Sequence, residues 1–68
     1  MQVHVFKSVQ RDIYGFDPEP TGASLPIVQG PWKLVDCIDI VNADVSRYGT
    51  RPASIRRDIT ALGYHVAG

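Results

Sequence analysis

The sequence has only one cysteine, Cys37, among its 68 residues, so no intramolecular disulfide can form. Small secreted domains usually depend on several disulfides, so we expect a reducing compartment. No apolar run approaches the roughly 20 residues that span a bilayer. The first seven residues lack the charged start, long apolar stretch and cleavage site of a signal peptide. The sequence therefore predicts a cytoplasmic protein with no membrane partner.

Net charge is also lacking, because seven basic and seven acidic side chains cancel. This balance argues against a polybasic nucleic-acid binder. The charges are unevenly distributed: residues 1–45 carry three basic and six acidic side chains, and residues 46–68 carry four basic and one acidic. Such polarity suits an oriented contact with a partner or head-to-tail self-association, and it is also within the fluctuation expected of so few charges.

Side chains that carry chemistry are few. His4, His65 and Cys37 are far apart in sequence, and the two histidines become neighbours only if the first and last strands pair. Cys37 lies among aliphatic residues and is expected to act as a small buried hydrophobe. Asp36 and Asp39 fall on opposite faces of a strand, and the glycines are too isolated to form a phosphate-binding loop. We therefore predict no enzyme activity, no metal and no cofactor.

The chain has room for one core, and we predict a single α+β domain over residues 1–68. Residues 2–7 alternate as a first strand, and residues 13–16 form a short edge strand beside it. Residues 32–41 fit both a strand and a helix, and their β-branched content favours the strand. The fold class predicted is a three- to four-stranded, mostly antiparallel sheet with one helix packed on one face.

A helix is predicted from about Pro52 to Leu62. Pro52 suits a first turn, Ile55, Ile59 and Leu62 form an apolar stripe, and Gly63 suits the C-terminal cap. Residues 42–49 are predicted to form a turn or a short helical turn that ends at Gly49, and residues 64–67 a short final strand. The predicted core consists of Val3, Val5, Trp32, Leu34, Ile38, Ile55, Ile59 and Leu62, with Trp32, Leu34, Ile38 and Ile40 sharing one face of their strand.

A proline- and glycine-rich loop is predicted over residues 17–31, where four prolines prevent regular structure. Loops this long are functional, mobile or packed by their own side chains. We expect Leu25 and Trp32 to fold back onto the sheet. The remaining aromatic surface suits protein recognition, so Tyr14, Phe16 and Trp32 are the predicted partner surface.

One segment suggests a different function. The run Ser54-Ile55-Arg56-Arg57-Asp58-Ile59, which follows a glycine turn at Gly49, resembles the helix-turn-helix of DeoR-type bacterial repressors. The resemblance implies DNA contacts by four residues, Arg47, Ser54, Arg56 and Arg57. The resemblance covers about a quarter of the chain and requires residues 32–41 to form the first helix. No sequence typical of the wing of such repressors follows Tyr64.

A second resemblance spans nearly the whole chain. The segments Val-His-Val-Phe-Lys, Asp12–Phe16, Gly30-Pro31-Trp32 and Gly63-Tyr64-His65 are similar to short bacterial proteins of unknown function, and this likeness implies no activity. The leading prediction is a non-enzymatic binding or protein-interaction module that binds an unidentified protein or a second copy of itself. The alternative is a minimal helix-turn-helix DNA-binding protein.

Overall fold

A computed structural model describes all the residues, Met1–Gly68, as one four-stranded antiparallel sheet and one α-helix. The strands are β1 (Gln2–Ser8), β2 (Tyr14–Asp17), β3 (Trp32–Asp39) and β4 (His65–Ala67), and the helix is α1 (Pro52–Leu62). Their order across the sheet is β3-β1-β2-β4. This architecture confirms the predicted α+β fold class, and none of its helices is long and apolar enough to cross a bilayer.

Two glycines set the bounds of the helical segments as predicted. Gly63 adopts a left-handed conformation with φ 90° and donates its N–H to the carbonyl of Ile59, which ends α1 after Leu62. Gly49, with φ 77°, ends a 3₁₀ turn over Ser46–Tyr48 in the same way. Glycine reaches this conformation without the steric penalty of a Cβ atom. The predicted helix over residues 52–62 is confirmed.

The core lies between α1 and one face of the sheet, which we call the helix face. Val3 and Val5 of β1 point to this face and are fully buried. Ile55 is the buried residue of α1 that packs against them. The core cluster comprises Val3, Val5, Phe16, Ile40, Val45, Tyr48 and Ile55. The alternating residues Val3 and Val5 of β1 and Ile55 of α1 therefore form the central part of the core, as predicted.

The segment between β2 and β3 covers the opposite face, which we call the loop face. Leu25 is buried there against Gly15 of β2, and a Cβ atom at Gly15 would lie 2.7 Å from Leu25 Cδ2. The indole Nε1 of Trp32 donates to the carbonyl of Pro26 at 2.9 Å. These contacts confirm that Leu25 and Trp32 fold back onto the sheet. The segment also contains a 3₁₀ turn, Ile27–Gln29, where no regular element was predicted.

A bulge in β3 overturns part of the predicted side-chain pattern. Val5 pairs with Asp36, but the next residue, Phe6, pairs with Leu34, so Val35 is an extra residue. One inserted residue reverses the alternation of every residue beyond it. Leu34 consequently points to the loop face, as Trp32 does, while Ile38 and Ile40 serve the helix face. The prediction that these four share one face was wrong, and Leu34 is 50% exposed.

Two other expectations are corrected, and the condition for neighbouring histidines is not met. Leu62 is 62% exposed, so the apolar stripe of α1 is buried at Ile55 and open to solvent at its end. Strand β2 is internal, between β1 and β4, instead of an edge strand. Because β4 pairs with β2 and not with β1, His4 and His65 are separated by a strand and point to opposite faces.

Candidate functional site

The predicted partner surface of Tyr14, Phe16 and Trp32 does not form. Phe16 is fully buried in the core, because it points to the helix face from the internal strand β2. Tyr14 pairs with Lys7 and Trp32 pairs with Ser8, so the two rings leave the sheet on opposite faces. The Tyr14 ring packs 4.7 Å from that of Tyr48, between centroids. The prediction was wrong for Phe16, and the other two rings lie apart.

The most exposed large apolar side chains lie in the loop between β2 and β3. Ile27 is 92% exposed and its neighbour Val28 is 83% exposed, both on the 3₁₀ turn. Val9, 66% exposed, lies at the same end of the molecule, since its N–H donates to the carbonyl of Pro31. Sequence reasoning missed this pair because it expected the apolar residues of the loop to close the core. We call Pro26–Gly30 the apolar turn.

Hydrogen bonds fix the apolar turn to the sheet. The hydroxyl of Ser8 donates to the carbonyl of Gln29 at 2.7 Å, and Trp32 Nε1 donates to the carbonyl of Pro26 at 2.9 Å. Within the turn, the N–H of Gln29 donates to the carbonyl of Pro26 and that of Gly30 to the carbonyl of Ile27. The two exposed aliphatic side chains are therefore presented on an anchored backbone.

The free edge of β3 has one capped donor and a bulge, two features that hinder strand addition. The N–H of Ile40 donates to Met1, so by alternation the N–H of Cys37 points away from β1. That N–H donates to Asp36 Oδ1 at 2.8 Å, and Arg47 pairs with Asp36 Oδ2 at 2.9 Å. Charged side chains and bulges are common ways of blunting a sheet edge. Cys37 itself is exposed, so the prediction of a buried thiol was wrong.

A polar cleft of about 500 Å³ opens where the loop before α1 meets the start of the helix and β4. The side chains that line it come from these three parts of the chain. They are Ser46, Thr50, Arg51, Ser54, Arg57, His65, Val66 and Ala67, together with the backbone of Gly49. Its chemistry is dominated by hydroxyl and guanidinium groups, so the cleft is rich in hydrogen-bond donors.

A chain of hydrogen bonds runs from the wall of the cleft to α1. Thr50 Oγ1 lies 2.8 Å from His65 Nε2, and His65 Nδ1 lies 2.7 Å from Asp58 Oδ2. Arg57 Nε donates to the other oxygen, Asp58 Oδ1, at 3.3 Å. The hydrogen bond from His65 lowers the pKa of Asp58, burial partly opposes this effect, and Arg57 reinforces it. An ionised Asp58 requires the proton of His65 on Nδ1, which leaves Nε2 as the acceptor for Thr50 in the neutral ring.

The predicted DNA contacts divide into separate places. Ser54 and Arg57 line the polar cleft, and Arg56 lies beside them on the outer side of α1 without an acidic partner within 4.0 Å. Arg47 points elsewhere: it pairs with Asp36 and lies 4.9 Å above the Tyr48 ring. Residues 32–39 form β3, so the first helix of the repressor-like core is absent.

Sequence reasoning did not single out Thr50, Arg51, Asp58 or the cleft-facing role of His65. Thr50 and His65 are 15 positions apart, and no local spacing signals their contact. The one available signal was the position of Arg51 directly before Pro52, which places Arg51 at the start of the predicted helix. No protein family, curated protein or solved structure matches this chain, so its function has to be inferred from the geometry.

Proposed function

We propose that the protein is a non-enzymatic protein-interaction module that binds its partner through the apolar turn. The observation that carries the proposal is the near-complete exposure of Ile27 and Val28 on an anchored backbone. Single exposed aliphatic residues are common on protein surfaces. Here two adjacent branched side chains are exposed in a domain that buries only 14 of its 68 residues. In a chain with so small a core, burying these two side chains would stabilise the fold, so their exposure indicates a contact with a partner.

The anchoring of the turn matters for the energetics of binding. Fully burying an aliphatic side chain contributes about 1.5–3 kcal/mol, so the pair supplies about 3–6 kcal/mol before other terms. Association itself costs several kcal/mol, and ordering flexible groups adds to that cost. Because Ser8 and Trp32 already hold the turn, little ordering remains. We therefore expect weak, reversible binding, with Val9 extending the contact.

The partner of such a surface is a protein with an apolar pocket, either a second copy of this chain or another polypeptide. Strand β3 has a capped edge donor and a bulge, and β4, the other edge strand, has only three residues. Both edges are therefore poor templates for strand addition, and side-chain insertion is the mode of contact that we propose. In many interfaces a few anchor side chains packed in a pocket carry most of the binding energy.

The test compares the variant Ile27→Ser/Val28→Ser with the control Val41→Ser. Val41 is 68% exposed and follows β3, so the control removes a similar aliphatic group from another surface. Sedimentation velocity over a wide concentration series reports self-association. A photo-crosslinking residue placed at 28, or at 41 as its control, captures another protein in cells. Partner capture or self-association that requires residues 27 and 28 but tolerates Val41→Ser supports the proposal. Equal behaviour of the two positions in both assays contradicts it.

A second candidate function is DNA binding through α1. One observation favours it: Arg56 is exposed on the segment that resembles the repressor helix and has no acidic partner. Titration of the ¹⁵N-labelled protein with mixed-sequence duplex DNA at low salt tests it, because phosphate contacts are strongest there. Shifts confined to residues 46–60 that vanish at higher salt support DNA binding, and an unchanged spectrum removes it.

A further inference from the structure

The residues that line the polar cleft include two arginines and no acidic residue. Arg51 has no acidic group within 4.0 Å, and Arg57 uses only its Nε on Asp58. Two carboxylates outside the lining contact it: Asp44 accepts from Ser46, and Asp58 has both oxygens engaged, by His65 and Arg57. The terminal guanidinium nitrogens of both arginines therefore remain available to a ligand.

The hydroxyl groups of the cleft differ in their availability. Ser46 Oγ donates to Asp44 at 2.6 Å and is engaged outside the cleft. Ser54 lines the cleft and its hydroxyl has no partner in the protein. Thr50 is bonded to His65. Two guanidinium groups and one unpartnered hydroxyl line the cleft, and no acidic side chain does, so the complementary ligand is an anion with several oxygen acceptors.

We propose that the polar cleft binds a small tetrahedral oxyanion, the sulfate or phosphate group of a solute, held by Arg51, Arg57 and Ser54 and gated by the Thr50–His65 pair. The site is distinct from the apolar turn and does not depend on the proposed protein interaction. It uses side chains from the loop before α1, from α1 and from β4, which the fold brings together.

The gating follows from the direction of the hydrogen bonds. With His65 neutral, Nδ1–H donates to Asp58 and Nε2 accepts the hydroxyl hydrogen of Thr50, so that hydrogen points away from the ligand. Protonation puts a hydrogen on Nε2, which then donates to Thr50 Oγ1. The Thr50 hydroxyl hydrogen is released and can be donated to an oxyanion.

Groups from three elements surround the His65 ring. Asp58 of α1 and Thr50 of the preceding loop contact the imidazole, the Phe16 ring of β2 packs 5.5 Å from it, and Arg57 and Arg51 are the remaining charges of the cleft. Donation by the released Thr50 hydroxyl requires a proton on His65 Nε2, so the anion and the proton are bound together. Oxyanion binding and proton uptake are therefore coupled, each favouring the other.

The experiment is a sulfate titration followed by ¹⁵N chemical shifts and calorimetry, at constant ionic strength set with chloride. Sulfate is the first probe because its charge is constant between about pH 5 and about pH 8, where histidine changes charge. Phosphate groups change charge at about pH 6 and serve as the second probe. We expect saturable shifts at the cleft residues, tighter sulfate binding at the acidic end, and uptake of protons, seen as a dependence of the binding enthalpy on the buffer.

Matched variants assign the binding to the cleft. Arg51→Gln and Arg57→Gln should each weaken sulfate binding about tenfold or more, the effect of one charged hydrogen bond. Arg56→Gln removes the same charge from the same helix but lies outside the cleft, and it should leave the affinity within about twofold. Equal losses for Arg56→Gln and Arg57→Gln, or no saturable binding above chloride, overturn the proposal.

A second pair of variants tests the gate without disturbing the buried histidine. Thr50→Val preserves the shape of the side chain without the hydroxyl and should remove most of the pH dependence, while Thr50→Ser should retain it. If both variants keep the pH dependence of sulfate binding, the gate is refuted. A duplex DNA arm separates the two sources of phosphate: competition between DNA and sulfate assigns the cleft to a phosphodiester, and sulfate binding without such competition assigns it to a small anion.

Discussion

Asp58 Oδ2 lies 2.7 Å from His65 Nδ1, and this contact ties the middle of α1 to the first residue of β4. Strand β4 has only three residues and pairs only with β2, so few backbone hydrogen bonds hold it in place. The His65 side chain is buried, and its two ring nitrogens reach α1 and the loop before it. One histidine thus joins the last strand to the helix and to the wall of the polar cleft.

The first prediction concerns stability in acid. The pKa of Asp58 is lowered from the ordinary carboxyl value of 3.8 by its hydrogen bond from His65. The unfolded chain therefore binds a proton more readily than the folded chain, and the free energy of unfolding should rise with pH across this window. The contribution is complete above pH 3.8 and is lost as the pH falls through the lower folded value. Urea denaturation at a series of acidic pH values measures it.

The control separates Asp58 from a second carboxyl. Hydrogen bonds from the Ser46 side chain and backbone also lower the pKa of Asp44, which has the same sign of effect. Asp58→Asn and Asp44→Asn should each flatten part of the acid dependence, and the double variant should flatten more than either. An Asp58→Asn protein with the same acid dependence as the unchanged protein would show that the contact with His65 does not form in solution.

The second prediction concerns the apolar stripe of α1. Ile55 is fully buried and Leu62 is 62% exposed, although both belong to one helical stripe in the sequence. Ile55→Val removes one methylene group and should lower the free energy of unfolding by about 0.5–1.5 kcal/mol. Leu62→Ala removes more atoms but should change it by no more than about 0.5 kcal/mol. Denaturant titrations that rank the two variants in the opposite order contradict the packing described here.

Local signals were sufficient for much of the fold. Pro52, Gly63 and Gly49 act on their own backbone, so the bounds of α1 and the turn before it could be predicted from residue type alone. Strand β1 has the predicted alternation, and Val3 and Val5 are buried as expected, but the burial of Phe6 and Ser8 on the loop face was not predicted.

The errors arose where distant segments decide the outcome. No feature of the sequence distinguishes the bulge at Val35 from the rest of β3. The bulge nevertheless places Leu34 and Trp32 on the sheet face opposite to Ile38. Phe16 was placed on the partner surface because aromatic residues and prolines lie close together in that part of the sequence, and the pairing of the short β4 with β2 makes its strand internal. The cleft depends on contacts between Thr50, Asp58 and His65. These contacts form because β4, which carries His65, pairs with β2.

The third prediction concerns the close approach of the loop to β2. A Cβ atom at Gly15 would lie 2.7 Å from Leu25 Cδ2 and 3.1 Å from Trp32 Cζ3. Leu25 is 4% exposed and has little room to move aside, so Gly15→Ala should destabilise the fold by about 1–3 kcal/mol through overpacking. The smaller side chain in the double variant Gly15→Ala/Leu25→Val should recover part of this loss. Additive destabilisation in a double-mutant cycle would show that the two residues do not contact each other.

The fourth prediction concerns the exposed edge of β3. Asp36 covers the outward N–H of Cys37 and holds Arg47 against the edge, so Asp36→Ala should expose a backbone donor beside the half-exposed Val35. An uncovered edge strand with apolar side chains pairs readily with other chains. We expect faster aggregation on mild heating, followed by light scattering. Asp12→Ala is the matched control, because it removes the same charge from a fully exposed side chain remote in sequence from β3. If both variants aggregate at the same rate, the loss of negative charge is the cause and Asp36 does not protect the edge.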